Sequence, residues 1–504
     1  MIRQTSGLVC HSRRRWSLTV FRAKDMVLSP APPSDRVQSR EAGELLQLGG
    51  SQSLMVTSLK RRPSRRGGRF EAVLAGAVRD TMYRNAIALA VNTGVTSVMG
   101  LAYWVLAARH YSAASVGESA SLISALLVLA NIAEFNLTTV LVRFLPTAGP
   151  RAARYVLRAY AAVVITGLVV AMAALPALRR IPLVDALLQL GPLGTIWLFS
   201  SVVAWCLFAL QDSVVIGLRA AVWVPLENSL FGGCKILLLL VLADTTQRFG
   251  ILASWTIPML LTLLPMNALI FFRIVPRQKN RQASAIRRLP GRALLAFMTI
   301  DQLTVLASSA SASLLPVVVS LRVGAEIGGY FYVAWIIGSA LDVALVGVSA
   351  SLTVEGAHQP EELGVLTRRL FRRVSAIALP IVAAVSVGAP LLLSLYGKEY
   401  ASHSTGALRL VLLAVFPRIV IVLWMSANRV RRSIGRVLLV QMTLSAIVLT
   451  VATLYVRRYG ILGVAIVHLG TQTMVALVLI PSFWRLSAAH RDLRSKGQRG
   501  NARG

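Results

Sequence analysis

The property that most limits what this chain can become is a succession of long, almost uninterrupted apolar runs. About twelve of them follow one another from Asn85 onward, beginning near 85–107 and 119–141 and ending near 405–427, 437–456 and 461–483. A hydrocarbon layer about 30 Å thick asks for roughly 20 residues per crossing when the chain rises about 1.5 Å per residue. Inside lipid, every peptide N–H and C=O must find its partner within the protein, which leaves only helices or closed barrels. Runs this long and continuously apolar are helices. Composition agrees, because 56% hydrophobic against 14% charged residues is more apolar surface than a soluble core can hide. The expected fold class is an all-α polytopic membrane protein with about twelve transmembrane helices.

A formal net charge of +33 would point to nucleic acid in a soluble protein, so the placement of the basic residues decides its meaning. They fall between the apolar runs, not along one face. That is the distribution of cytoplasmic loops lying on an anionic leaflet, and it implies anionic membrane lipids as partners and no nucleic acid. With the N-terminus in the cytoplasm, Arg143, Arg151, Arg154, Arg158 and Arg219 fall on the cytoplasmic side, as do Arg368, Arg369, Arg372, Arg373, Arg429, Arg431, Arg432 and Arg436. The expectation is a multi-pass protein of the cell membrane with both termini inside. Residues 1–84, rich in Arg, Ser, Pro and Gly, read as a disordered cytoplasmic tail. The divisions that follow are a first lobe over 85–273, a basic inter-lobe linker over 274–292, a second lobe over 293–484 and a basic tail over 485–504. Cys10, Cys206 and Cys234 have no disulfide or metal-ligand spacing.

The division into lobes rests on repeated phrases. "RFGILASW" from Arg248 and "RYGILGVA" from Arg458 stand about 210 residues apart, each at the start of an apolar run. "SAASVGESASLI" from Ser112 and "GAEIGGYFYVAW" from Gly324 match at nearly the same offset, and "GLRAAV" from Gly217 matches "ANRVRR" from Ala427 more weakly. Three matches in register map the first six spans onto the second six. Six-helix halves repeated in the same orientation are related by an axis along the membrane normal.

Nothing in the chain reads as an enzyme. External loops are short, and no P-loop, HExxH, paired-His or GxSxG stretch occurs, so no cofactor or metal is expected. Ionisable groups within the spans are costly there and mark functional positions. Asp301, Asp342 and Glu134 are the acidic candidates, and Asp342 coincides with Asn131 in repeat register. Lys235 and Arg418 are the deep basic ones, each roughly 20 Å into a span by helical rise. Arg143 and Arg219 lie nearer the basic ends. His468 and Gln472, one turn apart, share a face of the last span.

The segment Asn92–Pro146, with its "LAARHYSAASVGESA" turn and "VRFLP" ending, together with "RYGILGVAI" before the last span, resembles polysaccharide-export flippases of the multidrug/oligosaccharidyl-lipid/polysaccharide (MOP, MATE-like) superfamily. The resemblance covers nearly all of the chain after the tail. It implies two six-helix lobes in a V around a central cavity, and as cargo a lipid-linked oligosaccharide on a polyprenyl diphosphate, turned from the inner to the outer leaflet. Glycan polymerases or glycosyltransferases would be its partners. On that reading Arg143, Arg219, Lys235 and Arg418 are candidates for the diphosphate, and Asn131, His468 and Gln472 for cavity contacts with substrate. Asp301, Asp342 and Glu134 are candidates for a coupling ion. Two alternatives are a cation-coupled exporter of small molecules on the same fold, and a membrane scaffold for a glycan-assembly complex.

Overall fold

The computed structural model describes residues 81–278 and 291–501. The expected N-terminal tail and most of the inter-lobe linker lie outside the described residues. In the first lobe, α1 is Thr81–His110, α2 Ala113–Glu134, α3 Leu137–Phe144, α4 Ala152–Leu178 and α5 Pro182–Gln189; α6 is Pro192–Gly217, α7 Val224–Leu242 and α8 Gly250–Leu269. In the second, α9 is Gly291–Val323, α10 Ala325–His358, α11 Leu363–Val387, α12 Ala389–Ser394, α13 Lys398–Leu413, α14 Val415–Val430 and α15 Ile434–Asn501. Among the described residues, eleven segments are long and apolar enough to cross a bilayer. The last is two spans joined at Gly460, where the backbone leaves helical geometry (φ 57°, ψ −154°), so twelve spans result. The described residues contain no strand.

The duplication is visible in local backbone. α6 ends with Arg219 left-handed (φ 59°) and Ala220 N–H bonded back to the Val215 carbonyl; α14 ends with Arg432 left-handed (φ 58°) and Ser433 N–H bonded to the Asn428 carbonyl. This is one C-terminal cap written twice. It pairs Arg219 with Arg432, a slightly longer offset than the phrase match gives. The short helices α5 and α12 repeat as well, each following the third span of its lobe. The "RFG" phrase opens α8, and its copy holds the Gly460 break.

The central element is α2, the most buried of the spans. Its sequence, AASVGESASLISALLVLANIAE, is rich in Ala, Ser and Gly, and small residues let helices approach closely in a membrane, where packing rather than water drives association. It packs on α4 and α6 in its own lobe and on α9 and α10 in the other. At its first turn, a Cβ on Gly117 would lie 1.8 Å from the Ala325 carbonyl oxygen, and one on Gly329 would lie 2.3 Å from that of Ala113. The two glycines are repeat mates that meet each other across the lobe boundary, on the side opposite the basic loops. Arg109 reinforces this far seam, its Nε donating to the Leu395 carbonyl at 2.7 Å. Trp104 meets Tyr332 edge to face at 4.6 Å.

The sequence reading continued the second span through 119–141. The structure breaks it at Phe135 (φ 39°) and Asn136 (φ 63°), both left-handed, while α10, its mate, runs unbroken. Asparagine tolerates that region better than most residues.

Gly117→Ala should push the two backbones apart. We expect a loss of about 1–3 kcal/mol, as for other overpacked contacts, read as a lower thermal midpoint in detergent. A Gly117→Ala protein with an unchanged midpoint would mean that this crossing is not tight.

Candidate functional site

Each lobe encloses one deep cation, and the two are held differently. In the second lobe, α10 brings Asp342, α14 brings Arg418, and the last span brings His468 and Gln472 to the wall of one cavity of about 40 Å³. The volume is enough for water-sized occupants. Four of the residues singled out in the sequence thus converge here, from three segments far apart in the chain. Gln441, Ser308 and Ser311 complete the polar wall and were not singled out. Trp335 braces it, its ring edge-on to His468 at 5.0 Å and its Nε1 donating to the Ala312 carbonyl at 2.8 Å. The Arg418 Nε and the Gln441 and Gln472 Oε1 atoms are buried with no hydrogen-bond partner among the described residues. The wall thus offers both donors and acceptors.

In the first lobe, Lys235 of α7 is 6% exposed. Its Nζ lies 3.9 Å from the ring centre of Trp255, 4.4 Å from that of Tyr103 and 5.2 Å from that of Phe231. The negative faces of aromatic rings attract a cation most strongly where water is absent. Tyr103 is fixed by its hydroxyl, 2.8 Å from Ser254 Oγ and 3.1 Å from the Ile251 carbonyl. Trp205 stacks behind Trp255 at 6.0 Å. Among the described residues neither Lys235 nor Arg418 has a carboxylate within ion-pair distance; the ion pair found there is Arg248 with Glu118, at 3.8 Å.

Asp301 lies elsewhere, on the seam between the lobes toward the basic side. Asn136 Nδ2 donates to its Oδ2 at 3.3 Å, and the neighbouring Gln302 Nε2 donates to the Asn131 carbonyl at 2.6 Å. Asn131 turns its own amide back to the Leu127 carbonyl at 2.9 Å, and so presents backbone to the seam. Glu134, half-buried, is the last residue of α2 before the break. Arg143 and Arg219 are exposed at the basic ends, outside both sites; Arg143 lies over the Phe144 ring at 5.7 Å.

A further polar cluster was not assembled from the sequence, which offered its Glu227 only as an ion-pair partner for Lys235 or Arg418, a pair the described residues do not form. Toward the basic end of the first lobe, Asn228 Nδ2 donates to Asp212 Oδ2 at 3.3 Å, and Asn267 Nδ2 to Gln211 Oε1 at 3.3 Å. Glu227, 5% exposed, has both carboxylate oxygens buried without a partner among the described residues. The available signal was Pro225 after Trp223, which opens a helix and puts Glu227 in its first turn, where a carboxylate is favoured.

If Asp342 and Arg418 act through one shared polar wall, the double variant Asp342→Asn/Arg418→Gln should be less destabilised than the sum of the singles. A coupling above about 0.5 kcal/mol is expected in thermal unfolding. Strict additivity would mean that the two groups are independent.

No protein-family model and no curated protein matches the chain. Its structure is similar to solved transporters. An inward-facing multidrug resistance MATE family transporter of the MOP superfamily superposes with a TM-score of 0.64 at 16% identity, covering 81% of this chain and 99% of that one. The outward-facing conformation of such a transporter gives 0.56 at 16%, covering 81% and 96%. A MOP superfamily transporter from Pyrococcus furiosus, described as having a binding pocket of reversed polarity that suggests a different function, gives 0.56 at 16%, covering 82% and 97%. This chain therefore shares the fold of these solved MATE transporters.

Proposed function

We propose that the chain is an alternating-access transporter that flips a polyprenyl-diphosphate-linked oligosaccharide across the cell membrane. The observation that carries the reading is Lys235, a buried cation enclosed by rings, with no carboxylate in ion-pair range among the described residues. A charge withdrawn from water costs several kcal/mol unless it is compensated. The rings compensate in part and leave the ammonium free to exchange them for a stronger anionic partner. A diphosphate is such a partner, since charge-assisted bonds to phosphate oxygens are shorter and stronger than contacts with a ring face. Arg418, in the polar wall of the opposite lobe, is a second anion-binding group. Gln441, Gln472 and His468 supply the mixture of donors and acceptors that sugar hydroxyls require.

A second reading, a cation-coupled exporter of small molecules, is favoured by Asp342 on the same wall and by the aromatic character of the cage. The polarity of the cargo separates the two readings.

Liposomes holding the full chain and a fluorescent polyprenyl-diphosphate oligosaccharide, scored with an impermeant sugar-modifying enzyme, should show protein-dependent exposure of the glycan. Lys235→Gln should drop this to the rate of protein-free liposomes, while Lys235→Arg keeps part of it. Exposure equal to that of empty liposomes, with transfer of a small cationic dye instead, would replace this function with the exporter. Full activity in Lys235→Gln would remove the lysine from cargo binding.

A further inference from the structure

The break in α2 creates a second feature, independent of the cargo. After Phe135 and Asn136, α3 leaves the line of α2 and seats on α6, where a Cβ on Gly217 would lie 2.9 Å from the Leu141 carbonyl oxygen. It thereby stands off from the start of α4. Leu137, Val140, Leu141 and Phe144 form one face of α3, at the spacing of adjacent helical turns. Tyr155, Arg158, Ala159 and Ala162 form the facing stripe of α4, with the same spacing. Two such stripes would ordinarily close on each other. Here they leave an open apolar groove of about 380 Å³ between them.

Its two ends differ. The helices run antiparallel, so Leu137 and Ala162 mark the end farther from the basic side, and Phe144, Tyr155 and Arg158 the mouth at the basic side. Arg158 is exposed, and the Arg143 guanidinium lies over the Phe144 ring, so two arginines flank that mouth. The small side chains of Ala159 and Ala162 make the hollow.

We infer that this groove is a binding site for one phospholipid with an anionic headgroup, its acyl chain between α3 and α4 and its phosphate against Arg158 and Arg143. The chemistry is complementary at both ends: hydrocarbon fits walls that carry no polar group away from the mouth, and guanidinium groups at the mouth bind phosphate oxygens. A tightly anchored α3 keeps the slot open, so its filling does not require the helices to move.

The test uses the full chain in nanodiscs of equal phosphatidylglycerol and phosphatidylcholine, followed by native mass spectrometry of the lipid retained on release into detergent. Wild type should keep one phosphatidylglycerol in preference to phosphatidylcholine. Ala162→Phe, which fills the far end, should lose that lipid, with Ala159→Leu as the check if Ala162→Phe lowers the thermal midpoint. Arg158→Gln should keep a lipid but lose about fivefold of the headgroup preference, the worth of one basic residue at an anionic surface. Equal retention by the two filled variants would overturn the site, and an unchanged preference in Arg158→Gln would overturn the headgroup assignment. Preferential capture of a polyprenyl phosphate over phosphatidylglycerol would reassign the slot to a cargo tail and overturn the phospholipid proposal.

Discussion

The close approach of α2 and α10 at Gly117 and Gly329 is the constraint on which the rest depends. In a membrane the helices gain little from hiding apolar surface from one another, so contact has to come from packing. Two backbones come this close only where one of them lacks a side chain, and the duplication supplies such a glycine twice. Trp104, Tyr332 and Arg109 bridge between the lobes around that crossing. A larger residue at either glycine would alter the angle between the lobes and, with it, the depth at which Lys235 and Arg418 lie relative to one another.

Given that frame, each lobe meets the cost of a buried cation in its own way. The first uses the polarisable ring faces of Tyr103, Phe231 and Trp255. The second uses a small cavity in which Arg418 shares its wall with Asp342, amides and hydroxyls. The lobes are duplicates in backbone but not in chemistry: with Gly117 set against Gly329 in two unbroken helices, Asp342 falls on Ala130, one residue from the Asn131 expected from the phrase match, and the first lobe has no carboxylate there. The cage also explains why α1, α7 and α8 carry aromatic residues on their facing sides: Tyr103, Phe231 and Trp255 surround a single atom.

What the sequence revealed followed from periodicity and depth. Run length and continuity led to twelve spans, and repeated phrases to two lobes, because both are properties of neighbouring residues. Depth along a span was also readable, and it singled out Lys235, Arg418, Asp342, His468 and Gln472. Counting residues does not say which way a side chain points around its helix. Arg143 and Arg219, already placed nearer the basic ends than Lys235 and Arg418, are exposed there. The cage was hidden because its rings come from three helices distant in sequence. The break at Phe135–Asn136 carries neither glycine nor proline, the usual signals, and Asp212 lies near a span end, where carboxylates read as loop-facing.

The two seams between the lobes differ in what is needed to part them. The far seam is backbone against backbone, with rings beside it, and separating it exposes a complementary packed surface. The seam toward the basic side adds to helix packing two hydrogen bonds, Asn136 to Asp301 and Gln302 to the Asn131 carbonyl, each of which water can replace at a net loss of about 0.5–1.5 kcal/mol. It is built on the left-handed pair that α10 lacks, so it has no mate in the other lobe. Opening toward the basic side therefore exchanges a few polar contacts for solvent, while opening on the far side has to separate a close-packed crossing. In the transporter proposed above, that inequality biases the resting protein toward closure on the far side, and the asymmetry of a duplicated helix is its origin.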